Sequence, residues 1–499
     1  MNFQLPFTAT ERIPSLSFRT SFFIRNYIVF YIILSVSMFV YYAGSVFIYI
    51  MLVSFVAAFI FFNKYYLEIL LAVSPFIGIF VIYLGGGKLK VFDLALIIII
   101  VLSFPWLLKN YFQHYFFILF PFFLLSLLIL MNVVYIQFDS SNLEVANQIQ
   151  KIDFSFKTVQ LNNLKNFFWL QTRIAFLIFM MSTINTTEKF EKYMRFYLLI
   201  QIFIGVWSLG GVIYYYMFPE NYIPPVTLWR YGNFFRLRGV DHEPSFYGTY
   251  LLMILPLFFF PFLNKKYLYN RTFHLVSLAV IVLNLILSLS SATWMLLPIT
   301  LLITFIYIFK YIREKSISIP LIILLISVGF LITVLFSFIA NSYTFFENIF
   351  LKIVNPGESS SGQTRIENML LGLRIFYENP VFGSGYYEGG NLFIEFLALY
   401  GFLGGALLLF LLAYLFKQAL IYHNLLNNYA LKTYSIALQC SMAIMITTML
   451  INTNFYKNYY WVIFGFILAR FNIVKKDYFY LKERQSANSY RHNIYKAGT

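Results

Sequence analysis

The sequence predicts an all-α membrane protein with a single polytopic domain, and three observations lead to that fold class. Of its 499 residues, 60% are hydrophobic and only 11% are charged, and the mean hydropathy is +0.74. Many uncharged runs are long enough to cross a hydrocarbon core of roughly 30 Å. Such runs must be helices because lipid offers no hydrogen-bond partner to an exposed backbone, and the alternating pattern of a membrane β-barrel is absent from the sequence.

Apolar runs between polar interruptions predict about 14 transmembrane helices, or 12 to 14 if short spans are miscounted. The predicted spans are 27–44, 45–62, 66–84, 92–107, 115–137, 167–185, 194–217, 245–263, 273–289, 292–309, 319–340, 392–416, 431–452 and 458–473. With both termini inside, most lysines and arginines fall in inner segments, which supports this orientation. The net charge of +16 then indicates contact with an anionic inner leaflet, rather than with nucleic acid.

This topology predicts one membrane domain over residues 1–474, with long outer loops at 138–166, 218–244 and 341–391. No internal repeat or low-complexity tract divides the chain. Residues 475–499 are polar, and we expect them to form a cytoplasmic tail that lies loosely on the inner face. The loops 218–244 and 341–391 carry the patterns that point to function.

The loop that ends at Pro244 concentrates charge next to a predicted helix start. Five of the eight residues in 236–243 can carry charge, which is expensive near a membrane unless the cluster binds or transforms something. Proline favours the first turn of a helix, where free N–H groups and a partial positive charge face outward. Together with Arg230, Arg236 and Arg238, this helix start predicts an anion site, for which an interfacial phosphate is the natural ligand.

Asp241, His242 and Glu243 follow these arginines in the same loop. They could orient the arginines, act as a general base, or form an ion-paired loop with no catalytic role. A metal site is the weaker interpretation because adjacent residues point in different directions and the sequence shows no second ligand cluster. We therefore expect neither a metal nor a cofactor.

The loop 341–391 contains a second polar pattern. Apolar residues from Ile366 to Tyr377 recur at helical spacing and predict an amphipathic helix on the outer membrane surface. Asn379 and Pro380 end this helix, and the glycines that follow are interpreted as a flexible turn. Asn391 is then predicted to cap the next span.

Arg173 lies inside a predicted span, unlike the other arginines considered above. An arginine at that depth is costly and is by default a functional candidate. The alternative is that it satisfies a buried partner between helices.

Two patches of the sequence resemble the bacterial O-antigen polymerases and the related O-antigen ligases. The first, 238–248, reads RGVDHEPSFYG, and the second, 363–404, begins QTR, continues through NPVFGSG and contains Asn391. Ligases of this superfamily usually carry a histidine directly before the asparagine that opens the late span, where this chain has Gly390. Relatives often have a serine-arginine pair at a short outer turn, where this chain reads SSA at 290–292. The missing histidine favours a polymerase.

The resemblance implies a GT-C-like fold in the bacterial inner membrane, with the active face toward the periplasm. It implies metal-independent glycosyl transfer from a growing glycan on undecaprenyl diphosphate to the terminal sugar of a new lipid-linked repeat unit. A chain-length regulator protein is a further expected partner. The alternatives are a ligase that transfers the glycan to lipid A core and a lipid-linked oligosaccharide flippase or other transporter.

Residue roles follow from the same resemblance, because a departing diphosphate needs cationic stabilisation and an acceptor hydroxyl needs a proton acceptor. Arg238 and Arg365 are expected to contact the diphosphate, with Arg236 in support. Glu243 or His242 is expected to act as the base or to position the sugar. Further candidates for substrate binding are Arg230, Asn391 and Arg173.

Overall fold

A computed structural model of the chain describes most of the residues after position 65, within the unit Tyr65–Thr499. The described residues are 66–75, 80–84, 87–135, 156–217, 228–231, 234–239, 241, 243–264, 268–288, 290–314, 360–385, 387, 391–421, 429–450, 455 and 457–497. The predicted spans 27–44, 45–62 and 319–340 lie outside these residues.

Twelve helices, one π-helical turn and two short hairpins make up the described fold. In chain order they are α1 (Tyr66–Val73), β1 (Phe80–Leu84), β2 (Gly87–Lys90), α2 (Val91–Asn110), the π-helical turn (Tyr111–Tyr115), α3 (Phe116–Tyr135), α4 (Phe156–Thr183), α5 (Thr187–Met217), β3 (Leu228–Tyr231), β4 (Phe234–Leu237), α6 (Pro244–Asn264), α7 (Arg271–Ser288), α8 (Ser291–Glu314), α9 (Ser360–Glu378), α10 (Leu392–Leu420), α11 (Tyr429–Met449) and α12 (Asn458–Ala497). The predicted all-α class is thus confirmed for the bulk of the described chain.

Six helical segments in the described part of the chain are long and apolar enough to cross a membrane. They are Ser103–Val133, Thr187–Tyr215, Pro244–Leu263, Arg271–Ser288, Ala292–Phe309 and Leu392–Leu420. Several such helices in one chain define a multi-pass helical membrane protein.

The predicted span 66–84 is wrong, because this segment is a short helix followed by one strand of a hairpin. Helix α1 ends at Val73, where Ser74 precedes Pro75 and the Ser74 hydroxyl donates to the Leu71 carbonyl at 2.9 Å. A residue before proline disfavours the helical conformation. Strands β1 and β2 then pair antiparallel, with Leu84 opposite Gly87.

Two further differences between the predicted spans and the structure concern where helices continue without a break. The predicted spans 92–107 and 115–137 form one uninterrupted helical run, since α2 passes through the π-helical turn directly into α3. Helix α12 has 40 residues, a length of about 60 Å. It therefore continues from the predicted span 458–473 through most of 475–499, instead of leaving a loose tail.

The core forms around two central helices. Helix α6 packs against α7, α8 and α11, and helix α4 packs against α2, α3 and α12. Trp461 on α12 is fully buried, and its ring contacts Phe122, Phe455 and Phe464. The starts of α2, α6 and α12 carry the polar residues described next.

Candidate functional site

A short hairpin leads into the charged cluster at 236–243. Strands β3 and β4 pair so that Trp229 is opposite Arg236 and Arg230 is opposite Phe235. Leu237 is fully buried, whereas Arg236 is half-buried. The Nε of Arg236 donates to the carbonyl of Ser288, the last residue of α7, at 3.4 Å. A guanidinium at a helix C-terminus is favoured by the carbonyls left unpaired there.

A tight turn then reverses the chain before α6. Gly239 has φ of +57°, and a Cβ at this position would overlap the ring of Tyr247. The N–H of Asp241 donates to the carbonyl of Arg238 at 3.1 Å and closes the turn. Only glycine meets both requirements, positive φ and close contact with an aromatic ring, so Gly239 is explained by the fold alone.

Asp241 is also explained by the fold, because it forms a buried ion pair with Lys457. The Lys457 Nζ is 2.9 Å from Asp241 Oδ1, and the two side chains are 1% and 3% exposed. The same ammonium lies 3.6 Å from the centre of the Phe246 ring. Removing either charge would leave the other stranded in a low-dielectric environment, so the pair fixes the turn to the segment just before α12.

Lys457 was missed by the sequence analysis. It lies between the predicted spans 431–452 and 458–473, on the same predicted outer side as the loop 218–244. The sequence did contain one signal for this residue, namely a lysine in a very short connection between two predicted spans.

Arg173 lies next to this pair in an ion-paired cluster of its own. Its Nη2 donates to Asp93 Oδ1 at 2.6 Å and to Asn458 Oδ1 at 2.8 Å. Arg173 is 2% exposed, and its guanidinium lies 5.0 Å from the Phe92 ring centre. Because Asn458 directly follows Lys457 in the chain, the two buried ion pairs are neighbours. These contacts give Arg173 a structural role, because they link α4 to α2 and to α12.

Glu243 is exposed directly before the start of α6. Pro244 is the first residue of α6, as predicted, and the N–H of Tyr247 donates to the Glu243 carbonyl at 3.2 Å. The Glu243 side chain is exposed, and the Ser245 hydroxyl donates to its Oε2 at 3.1 Å. A carboxylate in this position is stabilised by the helix dipole and remains accessible to an incoming group.

The groups around this turn thus fall into two sets. Gly239, Asp241 and Gly248 are used by the fold, the last because a Cβ there would overlap Thr293 of α8. The other set is at least partly accessible: Arg236 and Arg238 are half-buried and Glu243 is exposed. His242 lies outside the described residues, and for Arg230 the structure describes the backbone alone.

The second sequence patch is an interlock between a glycine-rich segment and a broken helix. Helix α10 is interrupted at Gly401, where φ is +65°. The segment 380–385 fills the interruption: the Ser384 N–H donates to the Ala398 carbonyl at 2.9 Å, and the Phe402 N–H donates back to a carbonyl of the segment at 2.7 Å. The expected flexible turn at this place is wrong for the described residues, because its backbone is held by α10.

Two asparagines from neighbouring helices complete the interlock. Asn132 of α3 donates to the Leu399 carbonyl at 3.0 Å, and Asn163 of α4 donates to the Gly385 carbonyl at 2.9 Å. Backbone groups freed by a helix break must be satisfied within the membrane protein itself. The side-chain amides of the two asparagines provide such hydrogen bonds.

The remaining candidates in this patch lie on α9 and at the start of α10. Helix α9 confirms that the predicted segment is helical, but the buried side differs from the predicted apolar face: Leu371 and Ile375 are buried, whereas Ile366, Leu370 and Tyr377 are exposed. Of Arg365, near the start of α9, the structure describes the backbone alone. Asn391 caps α10 as predicted, since its Oδ1 accepts the N–H of Ile394 at 2.9 Å. The cap engages that oxygen and gives Asn391 a structural role.

Burial and charge also act on Tyr387 in this patch. Its hydroxyl donates to the Asn368 carbonyl at 2.7 Å, which joins the segment before α10 to α9. Burial, together with the nearby Glu395 carboxylate, raises the pKa of Tyr387 above its ordinary value of 10.0. The phenol therefore remains a hydrogen-bond donor at neutral pH.

Among the residues that the structure describes, no group of three or more histidines, cysteines, aspartates and glutamates is placed to hold a metal ion. The chemistry available at the described site is that of arginine, lysine and carboxylate side chains. Cationic donors beside a helix start suit an anionic ligand, and the exposed carboxylate suits proton transfer.

No model of a known protein family matches the chain, and no curated protein matches it. The fold itself defines the class, a multi-pass helical membrane protein with a polar site at the end of the bundle where α2, α6 and α12 begin.

Proposed function

We propose that this protein is a polysaccharide polymerase that acts on lipid-linked repeat units at the outer face of the bacterial inner membrane. It would transfer a growing glycan from undecaprenyl diphosphate to the terminal sugar of a new undecaprenyl-diphosphate-linked repeat unit. The observation that carries the proposal is the accessible group of Arg236, Arg238 and Glu243, which lies beside the start of α6 on a turn fixed by buried contacts. The resemblance of this turn to O-antigen polymerases supports the same function.

The reaction forms one bond and breaks another. The acceptor hydroxyl oxygen attacks the anomeric carbon of the donor, and the bond from that carbon to the diphosphate oxygen breaks. The diphosphate leaves with the electron pair, and the hydroxyl proton passes to a base. Two groups are therefore required, a cationic site for the leaving diphosphate and a proton acceptor near the attacking oxygen.

Arginine suits the first requirement because its planar donors match phosphate oxygens in pairs. We assign this role to Arg238, with Arg236 beside it and Arg365 as a further contact from α9. Arg236 already donates to a helix C-terminus through Nε, which orients its remaining donors.

Glu243 suits the second requirement. Its side chain is exposed at the start of α6, and the hydrogen bond from Ser245 holds one of its oxygens in place. His242, the adjacent residue, is the other candidate base. General-base catalysis of this kind contributes roughly 10²–10⁴-fold to a rate.

The decisive experiment supplies the purified protein with a single lipid-linked repeat unit and no other acceptor. The repeat unit is extracted from cells that lack this protein, so that it has not been elongated. Longer lipid-linked glycans are expected. Product that forms only after lipid A core is added would replace the proposal with a ligase, and movement of the substrate across vesicles without product would replace it with a transporter.

Variants test the assigned residues. Arg238→Ala is expected to abolish elongation while the protein stays inserted in the membrane. Arg374→Ala is the matched control, because Arg374 is an exposed arginine that pairs with Glu378 on its own helix at 3.2 Å. Glu243→Gln is expected to reduce the rate by roughly 10²-fold or more if Glu243 is the base. Normal glycan ladders from Arg238→Ala would remove that residue from the mechanism.

A further inference from the structure

A second polar site lies at the other end of the helices that carry the candidate functional site. A cavity of about 710 Å³ opens between the α2–α3 run, α4 and α12. Its residue Asn472 is 14 positions after Asn458, which corresponds to about 21 Å along a helix. Trp106 is likewise 13 positions after Asp93, about 20 Å. The cavity is therefore separate from the cluster at the starts of α2 and α12.

The polar part of the cavity wall includes two cations and several hydrogen-bond donors. Lys475 and Lys476 of α12 line it together with His114, and no acidic residue is among the lining residues. The side chain of Asn472 also lines it, is 6% exposed, and has an Nδ2 with no hydrogen-bond partner among the described residues. The Ser182 hydroxyl also lines the cavity and likewise has no hydrogen-bond partner among the described residues. Buried donors left without an acceptor are costly, so they point to a ligand that brings acceptor oxygens.

Part of the cavity wall is apolar and aromatic. Trp106 and Phe479 line the cavity and are 42% and 49% exposed. Tryptophan is typical of the interface between hydrocarbon and headgroups. The cavity volume falls within the roughly 300–1,000 Å³ of small-molecule sites.

The backbone beside the cavity is itself unusual. His114 belongs to the π-helical turn Tyr111–Tyr115, which joins α2 to α3. A π-helical turn inside an α-helix is rare and is frequent at functional sites. The π-helical turn is therefore a second indication of a binding site. It is independent of the unpartnered Asn472 amide and of the lysine charges.

We propose that this cavity binds an anionic phosphate group, either the headgroup of a membrane phospholipid or a free phosphate. The two lysines supply the charge, the Asn472 amide and the Ser182 hydroxyl donate to phosphate oxygens, and the aromatic wall accommodates the acyl chains of a lipid. This assignment goes beyond the surface attraction that basic residues have for an anionic leaflet, because it requires the buried donors of the cavity.

The test uses delipidated full-length protein in a neutral detergent. Binding of phosphatidylglycerol and of phosphatidylcholine is measured by native mass spectrometry, and binding of inorganic phosphate by calorimetric titration. Lys475→Gln/Lys476→Gln removes both charges and is expected to weaken anionic binding about 30-fold, since each lysine near an anionic group contributes about fivefold. Asn472→Leu keeps both charges and removes the buried donor, with about a tenfold loss expected.

Lys417→Gln/Arg271→Gln is the matched control. It removes the same charge from exposed residues that do not line the cavity. Unchanged binding in this control, with losses in the two cavity variants, supports the proposal. Preference for phosphatidylglycerol then identifies a lipid headgroup as the source, and binding of inorganic phosphate alone identifies a soluble one. Equal losses in the control and the lysine variant, or no binding of either anionic probe, would overturn it.

Discussion

Replacing Lys457 with methionine tests how the candidate functional site is built. The side chains of Lys457 and Asp241 are 1% and 3% exposed, and their charged atoms are 2.9 Å apart. Methionine retains much of the lysine stem, so the change mainly removes the ammonium group, together with its contact with the Phe246 ring. Loss of one partner from a buried pair costs about 3–5 kcal/mol because the other charge stays buried without compensation. We expect Lys457→Met to lower the free energy of unfolding by about that amount.

The assay is a titration with a denaturing detergent, followed by the reaction of the Cys440 thiol. Cys440 is buried and is the only cysteine of the chain, so its modification reports opening of the core. Adding Asp241→Leu to Lys457→Met removes the stranded carboxylate, and most of the lost stability should return. Arg374→Ala is the control, with an expected loss of about 0.5 kcal/mol or less for an exposed pair within a helix. A loss below about 1 kcal/mol in Lys457→Met, or no recovery in the double variant, would refute the reasoning.

Three further predictions concern the turn and the interlock. Gly401→Ala should destabilise the protein by several kcal/mol, because φ is +65° and a Cβ would overlap the inserted segment. Gly210→Ala, in α5 with open space around it, should be neutral or stabilising by about 1 kcal/mol in the same titration. Gly239→Ala should lose elongation activity and stability together, and an active, stable variant would contradict the fit described for the turn. Tyr387→Phe should cost about 1 kcal/mol at neutral pH. Because burial and Glu395 raise the pKa of Tyr387, its stabilisation is complete below pH 10 and declines as the pH rises through the raised pKa, so the alkaline loss of stability should be smaller in Tyr387→Phe.

Local signals predicted several elements of the fold correctly. Pro244 marks the first turn of α6, the apolar spacing after Ile366 predicts α9, and Asn391 caps α10. Each of these depends on residues within one or two helical turns, which a single sequence displays. The error at 66–84 arose because hydropathy alone does not distinguish a short helix and strand from a continuous helix.

The buried contacts of the site could not be predicted from the sequence in the same way. Lys457 and Asp241 are 216 positions apart, and Arg173 reaches partners that are 80 and 285 positions away. The sequence indicated that charges at these depths need partners, but not which ones. The order of the glycine-rich segment before α10 likewise depends on a helix break that only the tertiary structure creates.

The interlock of α10 also constrains how the protein is made. The segment 380–385 leaves the ribosome before α10, yet the Ala398 carbonyl that it uses belongs to a helix not yet synthesised. Until both parts meet, backbone groups beside the break at Gly401 have no partner in the lipid, at a cost of several kcal/mol each. Helix α10 therefore becomes a stable membrane segment only when the segment 380–385 packs against it. We expect the segment 380–385 and the start of α10 to insert as one cooperative unit, and an insertion between them to be poorly tolerated during biogenesis.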